Sequence, residues 1–298
     1  MTESRKSSTN LIVSDIHADI KALNTIIEII ADPEFIKKYG SVNKIINLGD
    51  TIGRGYYPVE VILRLIELGN EISLYTIMGN HDEAFLFNWP ISGDDEECIK
   101  AHEDFKIKSS GNKSLKTCIE FLKDLPQYYL DEDEKILAVH GGPLDPEKIA
   151  PPGIAGYNKW PYQRTWQRIS EHKYEYLNDY GYHYIPDNAF LHARDFFDGN
   201  FMILCGHQHT EAIYKNNGVN TERVSLDHMR VRKENLGGHE VHVKELDIDQ
   251  NMNYLVRVGI GGPAGYYKKD NWNTTHFGLL WEGKKQKKIG LLNSELDY

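Results

Sequence analysis

Residues 44–55 read KIINLGDTIGRG. Ile45, Ile46 and Leu48 form a short apolar run that stops at Gly49, the mark of a buried strand running into a turn. The turn then presents one carboxylate, Asp50, and four positions later one guanidinium, Arg54, between Gly53 and Gly55. The same design occurs upstream, where NLIVSD (10–15) is an apolar run ending in Asp15. After it Leu23, Ile26, Ile27 and Ile30 recur at helical spacing. PVEVILRLIELG (58–69) has Pro at a helix start and Gly at its stop, and EISLYTIMGN (71–80) reads as a third strand. Strand, helix, strand, helix, strand predicts an α/β domain with a parallel sheet.

Further along, residues 83–134 read as polar and helical, and SGDDEE (92–97) as a solvated loop. KILAVHGG (135–142) and FMILCGHQH (201–209) are two more apolar strands. DNAFLHARDFF (187–197) predicts a helix, and the alternating runs HEVHVKEL and YLVRVGI predict antiparallel strands within 211–260. The opening MTESRKSSTN is polar. Residues 1–9 are expected to form a flexible tail and residues 10–298 one domain.

Composition narrows the function. With 40% hydrophobic and 26% charged residues, the chain has the makeup of a water-soluble globular protein. No apolar run is long enough to span a bilayer, and no signal-peptide core follows Met1. A net charge of −10 disfavours long nucleic acid, yet allows a small phosphate ester at a locally cationic site. Three cysteines, Cys98, Cys118 and Cys205, without a CxxC, fit a reduced, cytoplasmic setting. Oligomeric state has no signature here.

Five apolar runs thus end in groups that ligate metals or move protons: Asp15 and His17, Asp50, Asn80 and His81, His140, and His207 and His209. At the carboxyl ends of sheet strands such groups converge on one edge. Carboxylate, amide and imidazole together suit borderline first-row cations better than Mg²⁺ or Ca²⁺. Two divalent cations can share one carboxylate and activate one water, and Asp50 is the candidate bridge. Gly49, Gly79, Gly141 and Gly206 would let the backbone turn beside each ligand.

The ordered blocks DIH, GDTIGRG, GNHD, VHGG and GHQH, spanning 15–209, resemble the calcineurin-like metallophosphoesterase superfamily. The resemblance implies a four-layer α/β/β/α sandwich of two mixed sheets with a helical cap from insertions at about 85–134 and 151–200. It implies that Asp15, His17 and His209 hold one metal and Asn80, His140 and His207 the other, with Asp50 between them. Mn²⁺ is the first expectation; Fe, Zn, Ni and Co are the others. His81 is implied as a general acid or phosphate donor beside the leaving group, and Arg54 as a bidentate phosphate ligand. Asp82, directly after His81, is a third catalytic candidate, with a structural role as its other reading. Where protein phosphatases of the family carry an Asp before that Arg to orient the histidine, this chain has Gly53. GDTIGRG and GNHD look closer to symmetrical dinucleoside tetraphosphatases, whereas VRVGIGGPAGYYKKDNWNTTHFGLL (256–280) resembles the closing segment of small prokaryotic phosphodiesterases. The expectation is metal-dependent hydrolysis of a phosphate mono- or diester, with a nucleotide as a candidate substrate. The alternatives are a dinucleoside tetraphosphate hydrolase and a metal-binding scaffold without chemistry, though every ligand position and His81 remain.

Other features read as structural. His239 and His242 in GGHEVHV are not HExxH and predict a surface strand; His102 reads as a surface or cap residue. GIGGPAG (259–265) lacks the lysine of a P-loop and predicts a loop beside the active site. The Tyr/Trp-rich stretch 157–184 reads either as a helical cap or as a lid stacking on a base or aromatic leaving group.

Overall fold

The computed structural model describes residues 8–89, 94–109, 111–142, 165–169 and 183–298. Two mixed sheets lie face to face. A seven-stranded sheet runs in the order Val231–Leu236, His239–Asp247, Lys287–Glu295, Thr274–Glu282, Ser8–Val13, Ser41–Asn47, Ser73–Thr76. A six-stranded sheet runs Thr221–Arg223, Ala212–Asn216, Asn253–Arg257, Met202–Cys205, Ile136–Val139, Tyr128–Asp131. The last three strands of the first sheet's order are parallel to one another, as are the three central strands of the second.

Period-two alternation sets the layers. Leu11 and Val13 point out to a helical layer, while Ile12 between them points into the sandwich. Ile136, Ala138, Met202 and Leu204 meet Ile12, Ile46 and Ile77 between the sheets. Leu137, Val139, Ile203 and Cys205 face the opposite way. Helices Ile20–Ala31, Pro33–Tyr39 and Pro58–Gly69 cover the first sheet with Leu23, Ile26, Phe35, Val61 and Leu65. Helix Pro186–Ala193 covers the second with Ala189, Phe190 and Ala193. That is the four-layer α/β/β/α order. Each fully buried aliphatic side chain in these layers contributes about 1.5–3 kcal/mol of transfer free energy.

Helices Glu96–Ser109 and Lys113–Lys123 lie in the first predicted insertion. They pack through Phe105, Cys118 and Leu122 onto Ile52, Ile62 and Met78, close to the site loops. The three cysteines are buried and unpaired. Among the described residues no helix is long and apolar enough to cross a membrane.

Several expectations shift. Strand pairing starts at Ser8, and Thr9 is fully buried, so residues 8 and 9 belong to the sheet rather than to a tail. The third strand is only Ser73–Thr76, because Asn80 opens helix Asn80–Phe87. The stretch 83–134 is not all helical: Tyr128–Asp131 pairs antiparallel with Ile136–Val139. Of the aromatic-rich stretch 157–184, most lies outside the described residues; inside them, Arg168–Ile169 pairs in parallel with His183–Tyr184.

Candidate metal centre

The five strand ends meet at one edge of the sandwich, and their loops are laced together by backbone bonds. The Asp15, His17 and Ala18 amides donate to Gly49, Asp50 and Thr51 carbonyls at 3.0, 2.8 and 2.9 Å. The Gly206 amide donates to the His140 carbonyl at 2.9 Å, and the Gly261 and Gly262 amides to Ser14 and Asp15 carbonyls at 2.8 and 2.9 Å. GIGGPAG therefore packs against the Asp15 loop, beside the cluster.

The lacing holds an unusual backbone. Asp15, His17, Asp50, Arg54, His207 and His209 all have positive φ, between 49° and 65°. Non-glycine residues adopt this region at a cost on the order of 1–3 kcal/mol each, and it concentrates at functional sites. Among the four glycines expected to turn the chain, only Gly49 needs the left-handed region, at φ +92°. Gly79 serves close approach instead: a Cβ there would lie 2.0 Å from the Asp50 amide nitrogen.

The side chains converge. His209 Nε2 lies 3.4 Å from Asp15 Oδ1 and 3.1 Å from His17 Nε2. His17 Nε2 is 3.9 Å from Asp50 Oδ2, and His140 Nε2 is 3.4 Å from the same oxygen. Asn80 Oδ1 faces His140 Nε2 at 2.9 Å. Asp15–His17–His209, His17–Asp50–His81 and Asp50–His140–His207 each bring three donor atoms within 4.8 Å of one another. Asp50 thus stands between an Asp15 side and a His140 side. All seven predicted ligands are brought together, six of them buried and His209 partly so.

The donor set fits cations. His140 Nδ1 lies 2.7 Å from the Leu48 carbonyl, which fixes Nδ1–H as donor and turns Nε2 toward the cluster. Nε2 and the amide oxygen of Asn80 are aimed at one point, 2.9 Å apart. Asp15 Oδ1 and His207 Nε2 are buried without a hydrogen-bond partner. Burial holds His17 and His207 well below the ordinary imidazole range, so both are neutral and able to ligate. Burial would raise Asp50, but His140 and His81 outweigh it and hold the carboxylate well below its usual range. Burial likewise opposes a charged His140, yet Asp50 lifts it to about 9, so Nε2 carries a proton that a cation binding there would displace.

His81 sits at the rim of this cluster. Its amide donates to Asp50 Oδ1 at 2.8 Å, and its ring meets the His17 ring edge-on at 4.8 Å. Burial lowers it to about 4, so it is neutral with one N–H to give. Arg54, 18% exposed, has its guanidinium 5.4 Å from the Tyr266 ring and its Nε 3.8 Å from Asp94 Oδ1. Asp94 is therefore not part of a solvated loop but faces Arg54.

Asp82 plays another part than the catalytic one expected of it. Its carboxylate accepts the amides of Gly79, Thr51 and Ile52 at 3.0, 3.3 and 3.1 Å, tying the GDTIGRG loop to the GNHD helix start. It is fully buried, and burial together with Asp50 pushes it up to about 7. With both oxygens spent on the backbone, Asp82 is a positioning residue.

His102 is also not the surface residue its sequence suggested. From helix Glu96–Ser109 its Nε2 accepts the Gly53 amide at 2.9 Å, with Nδ1 2.8 Å from the Cys98 carbonyl. Gly53, at φ +85°, leaves no room for a side chain, since a Cβ would fall 2.3 Å from His81 Nδ1. Tyr266 went unremarked within GPAGYY, although its place after the glycine-rich loop was a usable signal. His239 and His242 lie on the strand His239–Asp247, bonded to Glu28 and Glu240 and away from the cluster.

Residues 9–211 match the family described as calcineurin-like phosphoesterase. An uncharacterised protein of Methanocaldococcus jannaschii, MJ0912, is 25% identical over 290 residues, covering 96% of this chain and 87% of its own. The solved metallophosphoesterase from Sphaerobacter thermophilus superposes with a TM-score of 0.55 at 18% identity, over 97% of this chain and 89% of that one. At that identity the superposition speaks for the fold alone.

Proposed function

Because this chain belongs to the calcineurin-like phosphoesterase family, a group of metal-dependent phosphoester hydrolases, we propose that it cleaves a phosphate mono- or diester of a small molecule, a nucleotide among the candidates, at a two-cation centre. The observation that carries the reading is Asp50, whose carboxylate lies between the His17 side and the His140 side of one buried cluster. Asp15, His17 and His209 would hold one cation, Asn80, His140 and His207 the other, and Asp50 both. Mn²⁺ is the first choice of metal, with Fe, Zn, Ni and Co compatible with the same N/O donors. Bound there, such a pair supplies Lewis-acid polarisation of the phosphoryl group and a water acidic enough to attack at neutral pH.

The chain's own residues do the rest. Arg54, on a left-handed backbone and backed by Tyr266, offers a planar fork to two phosphate oxygens. Its charge offsets what builds on the equatorial oxygens. His81, neutral and desolvated, gives a hydrogen bond from its N–H to the departing or equatorial oxygen as charge builds there, help worth about 10²–10³ in rate. Asp82, Gly53 and His102 keep His81 and Arg54 in register.

The test uses protein stripped with a chelator and reloaded with Mn²⁺, then offered an aryl phosphate, a bis-aryl phosphate and a dinucleoside tetraphosphate. Metal-dependent release of aryl alcohol is the expected result. Release of two identical nucleoside diphosphates as the main activity would move the enzyme to the tetraphosphatase reading. Cation uptake without turnover of any ester would leave a scaffold.

A further inference from the structure

Two clefts flank the cluster on different sides. One, of about 410 Å³, is lined by His81, Gly53 and Asp94. The other, of about 680 Å³, begins at His209 and runs past Lys244 and Asp227 to Trp272. Trp272 is 44% exposed, a large apolar face that no core cluster uses. Behind it a chain of ring contacts leads to His209 in the candidate metal centre. Trp272 lies on Tyr266 at 5.3 Å and 28°, and Tyr266 meets His209 edge-on at 5.2 Å.

The charge in this second cleft is balanced. Arg223 and Lys244 are matched by Glu211 and Asp227. Glu211 is engaged by Lys244 at 2.9 Å and by His276 at 2.8 Å. A polyphosphate tail needs a net cationic lining, which this cleft lacks. A flat, uncharged group with polar edges matches an aromatic wall bordered by Asn273 and the Lys244–Glu211 pair. An ester with two arms matches two clefts.

We infer, on the footing of the phosphoesterase reading above, that the substrate is a phosphodiester whose leaving arm lies beside His81. Its retained arm, a nucleoside, occupies the His209 cleft with its base on Trp272. Attack of water forms a new P–O bond and breaks the bond to the leaving oxygen; the proton released by that water ends on the leaving oxygen, and the nucleoside stays on the phosphate as a monoester. No redox partner is needed.

The experiment compares two diesters with one leaving group, p-nitrophenyl thymidylate and methyl p-nitrophenyl phosphate, on Mn²⁺-loaded protein. Base stacking predicts a kcat/KM ratio of at least about tenfold in favour of the thymidylate. Trp272→Ala is expected to bring that ratio to about one, and Trp272→Phe, which keeps a stacking face, to retain most of it. A wild-type ratio near one, or a ratio that Trp272→Ala leaves unchanged, overturns the assignment while hydrolysis itself stands. If neither ester is hydrolysed, calorimetric titration with thymidine monophosphate decides separately. Binding that Trp272→Ala weakens about tenfold upholds the cleft and overturns the diester assignment; no binding, or binding that Trp272→Ala leaves unchanged, overturns the cleft as well.

Discussion

The strand Ile136–Val139 joins two very different ends of the sandwich. At its carboxyl end His140 enters a cluster in which carboxylates and imidazoles crowd together and two buried polar atoms, Asp15 Oδ1 and His207 Nε2, have no hydrogen-bond partner. At its amino end the turn carrying Asp131 and Glu134 has both carboxylates paired. Lys44 reaches across from the other sheet to Asp131 at 2.5 Å and Glu134 at 2.6 Å, and Lys287 joins Glu134 at 3.2 Å. Charges at the first end are arranged for a ligand the chain does not itself supply; at the second they satisfy one another. Buried polar atoms without partners and left-handed backbone mark the first end as a candidate functional site, whereas the second end only needs to keep two sheets in register.

The sharpest way to break this contrast is Asp50→Asn. Losing the shared carboxylate should lower turnover by on the order of 10³-fold or more and reduce the bound metal, read together by kinetics and elemental analysis. Full metal content with normal turnover would remove Asp50 from the centre. Next in size, His81→Ala should keep the metal and cost about 10²–10³ in kcat, the loss of one fixed hydrogen-bond donor. Unchanged kcat would take His81 out of the reaction.

Gly53→Ala tests the same histidine indirectly. A methyl group at φ +85° beside His81 Nδ1 must push the ring aside. The expected outcome is a loss of about 10²-fold in kcat with metal retained, and a stability cost of about 1–3 kcal/mol in denaturant melts. A variant as active as wild type would show that the ring position is not critical.

The smallest effect lies at the paired end. Lys44→Met should cost about 2 kcal/mol, less than a fully buried pair because the carboxylates keep some solvent, and lower Tm by about 3 °C with metal binding unaltered. Burial opposes the ionised forms of Asp131 and Glu134, but Lys44 outweighs it and both sit below their usual range. Depressed carboxylate values mean stability that is present above the unfolded values, about 4, and lost as pH falls through the lower folded ones. Wild-type stability should therefore fall on acidification in that window, and Lys44→Met should flatten the fall. An equally steep acid limb in the variant would shift the cause elsewhere.

Much of the site was readable before any coordinates because its chemistry is tied to strand ends. Asp15, Asp50 and His140 each follow an apolar run closely, so periodicity located them, and the sheet brought them together. The residues that escaped reading owe their roles to contacts between distant segments. His102 looks like any helix histidine until its partner proves to be the Gly53 amide, 49 residues away. Asp94 sits in an acidic run whose composition says only that it is polar, and Arg54 is what gives it a place. Asp82 reads as half of a catalytic pair, yet three backbone amides claim it.

Taken alone, the sequence determined the alternation of strands and helices, the donor types at the strand ends and Asp50 as the candidate bridge. Those follow from local rules: side chains alternate along a strand, and an apolar run that stops at a turn sets the next polar residue at a strand end. Tertiary structure alone decided that three backbone amides claim Asp82, that His102 receives the Gly53 amide, and that Trp272 fronts a cleft opening at His209. Each of these depends on where one loop stops against another, and that is fixed by packing across the whole sandwich rather than by any stretch of neighbours.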